Sequence, residues 1–87
     1  MKIWAKLITD NDIQKDLIYE DPSPLSFESY EKWIQDICNL LDIPNPVIIP
    51  FHYKNFVYFH NTLFKAKDFV QTLGYDQFRI EDCKEDY

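Results

Sequence analysis

Along residues 2–9, aliphatic side chains alternate with a mixed set of lysines and apolar side chains, which is the pattern of a β-strand with one buried face. Ile3, Ala5 and Leu7 fall on the buried side. Trp4 falls on the other side, among lysines. A large indole on that side needs cover from another element or from a partner, so the pattern predicts a strand with apolar groups on both faces.

A second alternating run follows a polar turn. Residues 10–12 read Asp-Asn-Asp, and such short side chains bond to nearby backbone and tolerate unusual φ angles. Ile13, Leu17 and Tyr19 then share one side of residues 13–20. The two runs together predict an antiparallel β-hairpin.

The clearest periodic signal predicts an amphipathic helix that starts after Ser26 and ends at about Asp42. Ser26 suits the N-cap, and Glu28 places a negative charge in the first turn, where the helix dipole favours it. Pro44 and Pro46 end the helix. Apolar side chains recur at spacings of three and four at Phe27, Tyr30, Ile34, Ile37 and Leu41.

The middle of the chain leaves two alternatives open. Residues 47–49 are wholly apolar, which is typical of a buried strand. Residues 52–61 fit either a short helix or a hairpin that turns at Lys54 and Asn55. We favour the helix, because a proline precedes it and Lys-Asn is a weak hairpin turn. Residues 62–64 are either a short extended piece or the start of a longer helix.

The last part of the chain predicts a helix and a strand. The apolar side chains of residues 66–73 share one helical face, and Gly74 stands where a left-handed C-terminal residue belongs. Residues 75–81 alternate again and predict a final strand. We expect residues 82–87 to be a frayed acidic tail.

This order of elements predicts an α+β fold. The expected architecture is a small single-domain sandwich over residues 1–87, with the N-terminal hairpin in a mixed or antiparallel sheet. Such a sheet would have roughly three to five strands, with two or three helices mainly on one face.

Charge and composition narrow the function classes. The net charge is −6, and only one of the nine basic residues is an arginine. This disfavours wide contact with nucleic acid or an anionic membrane. The N-terminus lacks the pattern of a signal peptide, and no apolar run has the length of a membrane span. Two cysteines, Cys38 and Cys83, are too few for a disulfide scaffold, so we expect a cytoplasmic protein.

Few residues suggest chemistry. Phosphate-binding loops need several glycines at fixed spacing, and Gly74 is the only glycine, so we expect no cofactor. His52 and His60 are eight residues apart, which separates them by roughly 80° around a continuous helix. They are the candidate metal ligands, with Asp68 or Cys38 as partners. Their spacing matches no common metal motif, so hydrogen-bonded histidines are the preferred interpretation.

Residues 51–70 hold seven of the fifteen aromatic side chains. Most must build the core, because a small domain needs bulky side chains. They cannot all point inward on either a helix or a strand, so some must reach the surface. Exposed tyrosine and phenylalanine are typical of protein-recognition sites. The candidate contact residues are Trp4, Tyr53, Phe56, Tyr58 and Phe59.

Three functions follow as hypotheses. The first is a non-catalytic cytosolic protein that acts by protein–protein contact, as a homodimer or with a heterologous partner. The second is an acidic inhibitor or immunity-type module against a basic enzyme or a nucleic-acid-binding protein. The third is a small histidine-dependent hydrolase or metal binder that uses His52 and His60, which requires the two imidazoles to meet.

Overall fold

The computed structural model describes residues 1–83 and contains one four-stranded antiparallel sheet and two α-helices. The strands are β1 (Lys2–Thr9), β2 (Asp12–Glu20), β3 (Asn61–Lys65) and β4 (Gln77–Asp82). The helices are α1 (Phe27–Leu41) and α2 (Pro50–Phe59), and a 3₁₀ turn spans Ala66–Asp68. The strand order is β2-β1-β4-β3. The α+β prediction is confirmed, and the sheet is antiparallel rather than mixed.

The predicted N-terminal hairpin is confirmed. β1 and β2 pair from Lys2 opposite Glu20 to Thr9 opposite Asp12. Asp10 and Asn11 connect the strands with φ angles of 54° and 66°. Two consecutive positive φ angles match the twist of a two-residue hairpin, and asparagine and aspartate tolerate them.

α1 forms as its periodicity predicts. The Ser26 hydroxyl accepts a hydrogen bond from the Ser29 N–H at 3.1 Å, so it caps the helix. Asp42 ends the helix in the left-handed conformation with φ 58°. The buried stripe of α1 packs on one face of the sheet; it comprises Tyr30, Trp33, Ile34, Ile37, Cys38 and Leu41.

Of the two alternatives for residues 52–61, helix or hairpin, the structure has the helix, α2. It begins at Pro50, whose missing N–H is not needed in the first turn, and it ends at His60 with φ 61°. The chain then enters β3, so residues 62–64 are the extended piece. Both helices cover the sheet face that carries Ile3, Ala5, Leu7, Phe78 and Ile80. The opposite sheet face has no helix over it among the described residues.

The prediction of a buried strand at residues 47–49 is wrong. Pro46 makes only an isolated bridge to Phe69, and the Val47 N–H donates to the Asp68 carbonyl at 2.8 Å. Val47 and Ile49 are largely exposed. Prolines on both sides of the run remove ladder donors, and β3 takes the edge of the sheet instead.

The predicted helix at residues 66–73 is also wrong. Only a 3₁₀ turn forms there, and the Asp68 carboxylate accepts the Lys65 N–H at 2.8 Å. Phe69 continues in an extended conformation to reach Pro46, which ends the turn. Val70 is 89 % exposed, so the apolar residues do not share one buried face. Gly74 has the expected positive φ, 82°, within a loop.

The final strand forms, and it includes the first residue of the predicted acidic tail. Asp82 belongs to β4, and its N–H donates to the His60 carbonyl at 2.8 Å. The Cys83 N–H donates to the Lys2 carbonyl at 2.7 Å. These backbone bonds hold residues 82 and 83 against the sheet, and the rest of the predicted tail lies outside the described residues.

The two leucines at the end of α1 offer a matched test of the core. Leu41 is 6 % exposed and Leu40 is 66 % exposed. We expect Leu41→Ala to lower the free energy of unfolding by about 2–5 kcal/mol, because it removes buried methyl groups and leaves a cavity. Leu40→Ala should change it by no more than about 0.5 kcal/mol. Urea denaturation measures both, and equal losses would contradict this packing.

Candidate functional site

α2 is apolar on two sides, unlike the amphipathic α1. Its inner side buries His52 and Phe56. Its outer side exposes Phe51, Tyr58 and Phe59 at 64 %, 74 % and 68 %. Large aromatic side chains at such exposure are uncommon on a surface helix, whose outer side is normally polar. We call Phe51, Tyr58 and Phe59 the α2 aromatic stripe.

Helix geometry places two of these rings on one side of α2. Phe51 and Tyr58 are seven residues apart, which is close to two helical turns. Phe59 is the last residue of the helix and is exposed where the helix ends. Lys54 carries the only formal charge of α2. The stripe is therefore a charge-poor surface on a chain of net charge −6.

The four predicted contact residues on α2 divide into three groups. Tyr58 and Phe59 are exposed. Tyr53 is half-buried, because its ring packs 5.3 Å from that of Phe27 and 5.2 Å from that of Tyr30. Phe56 is 1 % exposed, so it belongs to the core and not to a contact surface.

Trp4 lies on the sheet face opposite the helices. Its indole Nε1–H donates to the Asp16 carboxylate at 2.8 Å, and the Lys6 ammonium lies 3.8 Å from the ring centroid. This geometry is a cation–π contact. Trp4 and the α2 aromatic stripe thus lie on opposite sides of the molecule and cannot form one surface.

Sequence reasoning did not identify Phe51 as one of the exposed aromatic side chains. The signal was present, because Phe51 stands at position i−7 from Tyr58 and so shares its side of a helix. The signal became usable only once residues 50–59 were known to be helical.

His52 is a buried histidine. Its Nε2 lies 3.5 Å from an Asp68 carboxylate oxygen, and its ring centroid is 4.4 Å from that of Phe64. Desolvation by burial lowers the pKa of His52, and the attraction of Asp68 opposes this shift only in part. His52 is therefore held in its neutral form at neutral pH.

His60 lies at the other end of α2 and has different neighbours. Its side chain is half-exposed, and its Nδ1 lies 3.5 Å from the Asp82 carboxylate. Eight residues of helix place the two histidines about 12 Å apart along the axis. The part of the chain that the structure describes contains no group of three potential metal ligands. The structure thus gives His52 and His60 no common pocket.

Neither Cys38 nor the cleft beside residues 69–76 offers a reactive group. Burial raises the pKa of the Cys38 thiol to about 12, so it is inert at neutral pH. A cleft of about 420 Å³ opens among the loop residues 69–76, Thr9 and Ala66. Neither histidine lines it, and its carboxylate, Asp76, already accepts the Asp10 N–H at 3.0 Å.

Several carboxylates have structural partners. Lys32 donates to Asp21 at 3.1 Å and to Asp36 at 3.2 Å, and Tyr19 donates its hydroxyl to Asp36. Hydrogen bonds, chiefly from the Ser23 backbone to Asp21 and from Tyr19 to Asp36, hold the pKa of each carboxyl below its usual range. These contacts tie β2 and the loop after it to α1.

Comparison with known proteins yields no relative: no family model, curated protein or solved structure matches the chain significantly. Neither of the described helices has the length and apolar content needed to cross a membrane.

The lowered pKa of His52 makes stability depend on pH. Below the ordinary histidine pKa of about 6.5 the unfolded chain binds a proton that the folded chain does not. We therefore expect the free energy of unfolding to fall as the pH drops from 7.5 to about 5. This loss should be absent in His52→Phe, which keeps a ring against Phe64.

His60→Asn is the control, because asparagine accepts the left-handed backbone at this position. Urea midpoints at several pH values measure the slope for all three proteins. A slope that persists in His52→Phe would show that another group is responsible.

Proposed function

We propose that this protein is a non-catalytic contact protein that associates with a second copy of itself through the α2 aromatic stripe. The exposure of Phe51, Tyr58 and Phe59 supports the proposal. Such rings in water cost free energy, and an interface that buries them recovers it. We propose the same cytosolic setting as the sequence suggests, where the described thiols of Cys38 and Cys83 stay free.

The absence of carboxylates from α2 makes it the helix through which a second copy can bind with least repulsion. Two chains of net charge −6 repel each other unless they meet where carboxylates are absent. α2 contains no carboxylate, so it is the helix that like chains can approach most easily. A two-fold axis would place the same stripe on both sides of the interface.

The exposed area of the α2 aromatic stripe sets the expected affinity of the proposed dimer. At 150–250 Å² for each aromatic side chain, the three rings expose on the order of 400 Å². This is about half of the roughly 800 Å² that each partner contributes to a standard interface. Val47 and Ile49, which are exposed just before α2, extend the apolar area. We expect a dimer that dissociates at low micromolar or higher concentration.

The alternatives have less support. A histidine-dependent hydrolase needs His52 and His60 in one pocket, and each instead faces a different carboxylate. An acidic inhibitor needs carboxylates gathered on one face. Those of the described residues occur on the hairpin, on α1, on β4 and in the loops that hold Asp68 and Asp76, and Asp21 and Asp36 pair with Lys32.

The double variant Tyr58→Ser, Phe59→Ser tests the interface. We expect wild type to shift from monomer to dimer between micromolar and millimolar concentration in sedimentation velocity, and the variant to stay monomeric. Leu40→Ser is the control, because it removes an equally exposed apolar residue from α1 and should leave the dimer intact.

Circular dichroism and urea denaturation establish that the variants are folded. A wild type that remains monomeric at millimolar concentration would overturn self-association. A dimer that survives in the double variant would show that another surface joins the copies.

A further inference from the structure

Arg79 lies near the centre of the sheet face that no helix covers. It stands on β4 between Lys6 on β1 and Leu63 on β3, each directly opposite it in the strand register. Trp4 and Ile18 lie in the neighbouring row of the same face. We call Trp4, Lys6, Ile18, Leu63 and Arg79 the open sheet face.

The carboxylates of this face are already engaged by other groups. Glu81 accepts from the Lys6 ammonium at 2.6 Å. Asp16 accepts from the Trp4 indole at 2.8 Å. Among the described residues none forms a hydrogen bond or ion pair with the Arg79 side chain. The only arginine of this acidic protein thus has no anionic partner within the described part of the chain.

Arg79 is also partly buried, which makes the missing partner costly. Its Nε is buried and has no acceptor among residues 1–83. A buried donor without an acceptor destabilises the folded state, and the penalty is larger for a charged group. Exposed lysines such as Lys15 differ, because water solvates them.

The neighbouring cation is already neutralised. Lys6 lies directly opposite Arg79 in the strand register, but its ammonium is paired with Glu81. Arg79 is therefore the side chain of this face on which an added anion would act. The planar guanidinium can donate two parallel hydrogen bonds to one carboxylate.

We propose that the open sheet face binds a carboxylate side chain within an acidic and apolar peptide segment of a partner protein. Arg79 binds the carboxylate, and Trp4, Ile18 and Leu63 contact the apolar residues beside it. A long polyanion such as RNA does not fit, since the net charge of −6 repels it and the face offers few cations.

This surface lies on the opposite side of the sheet from α2, so it does not depend on the proposed dimer. A partner segment bound here would leave the α2 aromatic stripe accessible. The two proposals therefore fail or succeed separately.

Arg79 allows a direct spectroscopic test, because one arginine gives one Nε–H resonance in a ¹⁵N correlation spectrum. The probe is a short blocked peptide with two glutamates flanked by leucines. We expect the Arg79 Nε–H resonance to shift and saturate as the peptide is added. The same peptide with glutamines should cause no shift, because it lacks the carboxylates.

Variants locate the binding residue. Arg79→Lys keeps the charge but loses the two parallel donors, so backbone amide shifts of β4 should report binding weaker by about tenfold or more. Lys15→Met, which removes an exposed cation outside the open sheet face, should bind as wild type does.

The wild-type titration decides the proposal even if Arg79 variants do not fold. An unchanged Nε–H resonance at saturating peptide would overturn it. Equal shifts with the glutamine peptide would overturn the role of the carboxylate. Equal shifts with inorganic phosphate at the same concentration would show a general anion site and overturn the assignment to a peptide.

Discussion

The pairing of β1 with β4 is the constraint on which the rest of the structure depends. These central strands come from the two ends of the described chain, and they align from Ile3 opposite Asp82 to Ile8 opposite Gln77. The ion pair between Lys6 and Glu81 joins residues 75 positions apart. Closing so long a loop costs chain entropy, and the buried side chains of both strands must offset that cost. The hairpin partner β2 and the edge strand β3 then add to a sheet whose centre is already fixed.

The elements that sequence alone predicted well are those whose partners are local. The β1–β2 hairpin has a two-residue turn between two alternating runs, and α1 has both a cap at Ser26 and a strong periodicity. Each signal is complete within about twenty residues, so no distant contact is needed to interpret it. The predicted boundary between the last strand and the tail was less accurate. Asp82 joins β4 through backbone hydrogen bonds to distant elements, which the local sequence does not reveal.

The elements that sequence misassigned are those decided by distant contacts. Residues 66–73 have the apolar spacing of a helix, yet Phe69 reaches across to Pro46 and Asp68 caps a 3₁₀ turn. Residues 47–49 have the composition of a strand, but flanking prolines and the pairing of β3 with β4 exclude them from the sheet. The exposure of the aromatic side chains followed the same rule. Composition alone indicated that some of them, such as Tyr58 and Phe59, must reach the surface, whereas the burial of Phe56 depended on the packing of α2 against Tyr30.

The one-sided cover of the sheet explains why two different surfaces remain available. α1 and α2 both pack on the face that carries Ile3 and Phe78, so α2 must present its outer side to water and the open sheet face has no helix above it. The first surface is aromatic and nearly uncharged, and the second centres on an unpaired guanidinium beside a tryptophan. Apolar area favours a like surface, whereas an unpaired cation favours an anion, so the two faces suit different partners. If α2 joins two copies, the two sheets face outward, and each copy offers its Arg79 independently of the other. A partner with two acidic segments would then gain affinity from both sites, because the second contact becomes intramolecular once the first has formed.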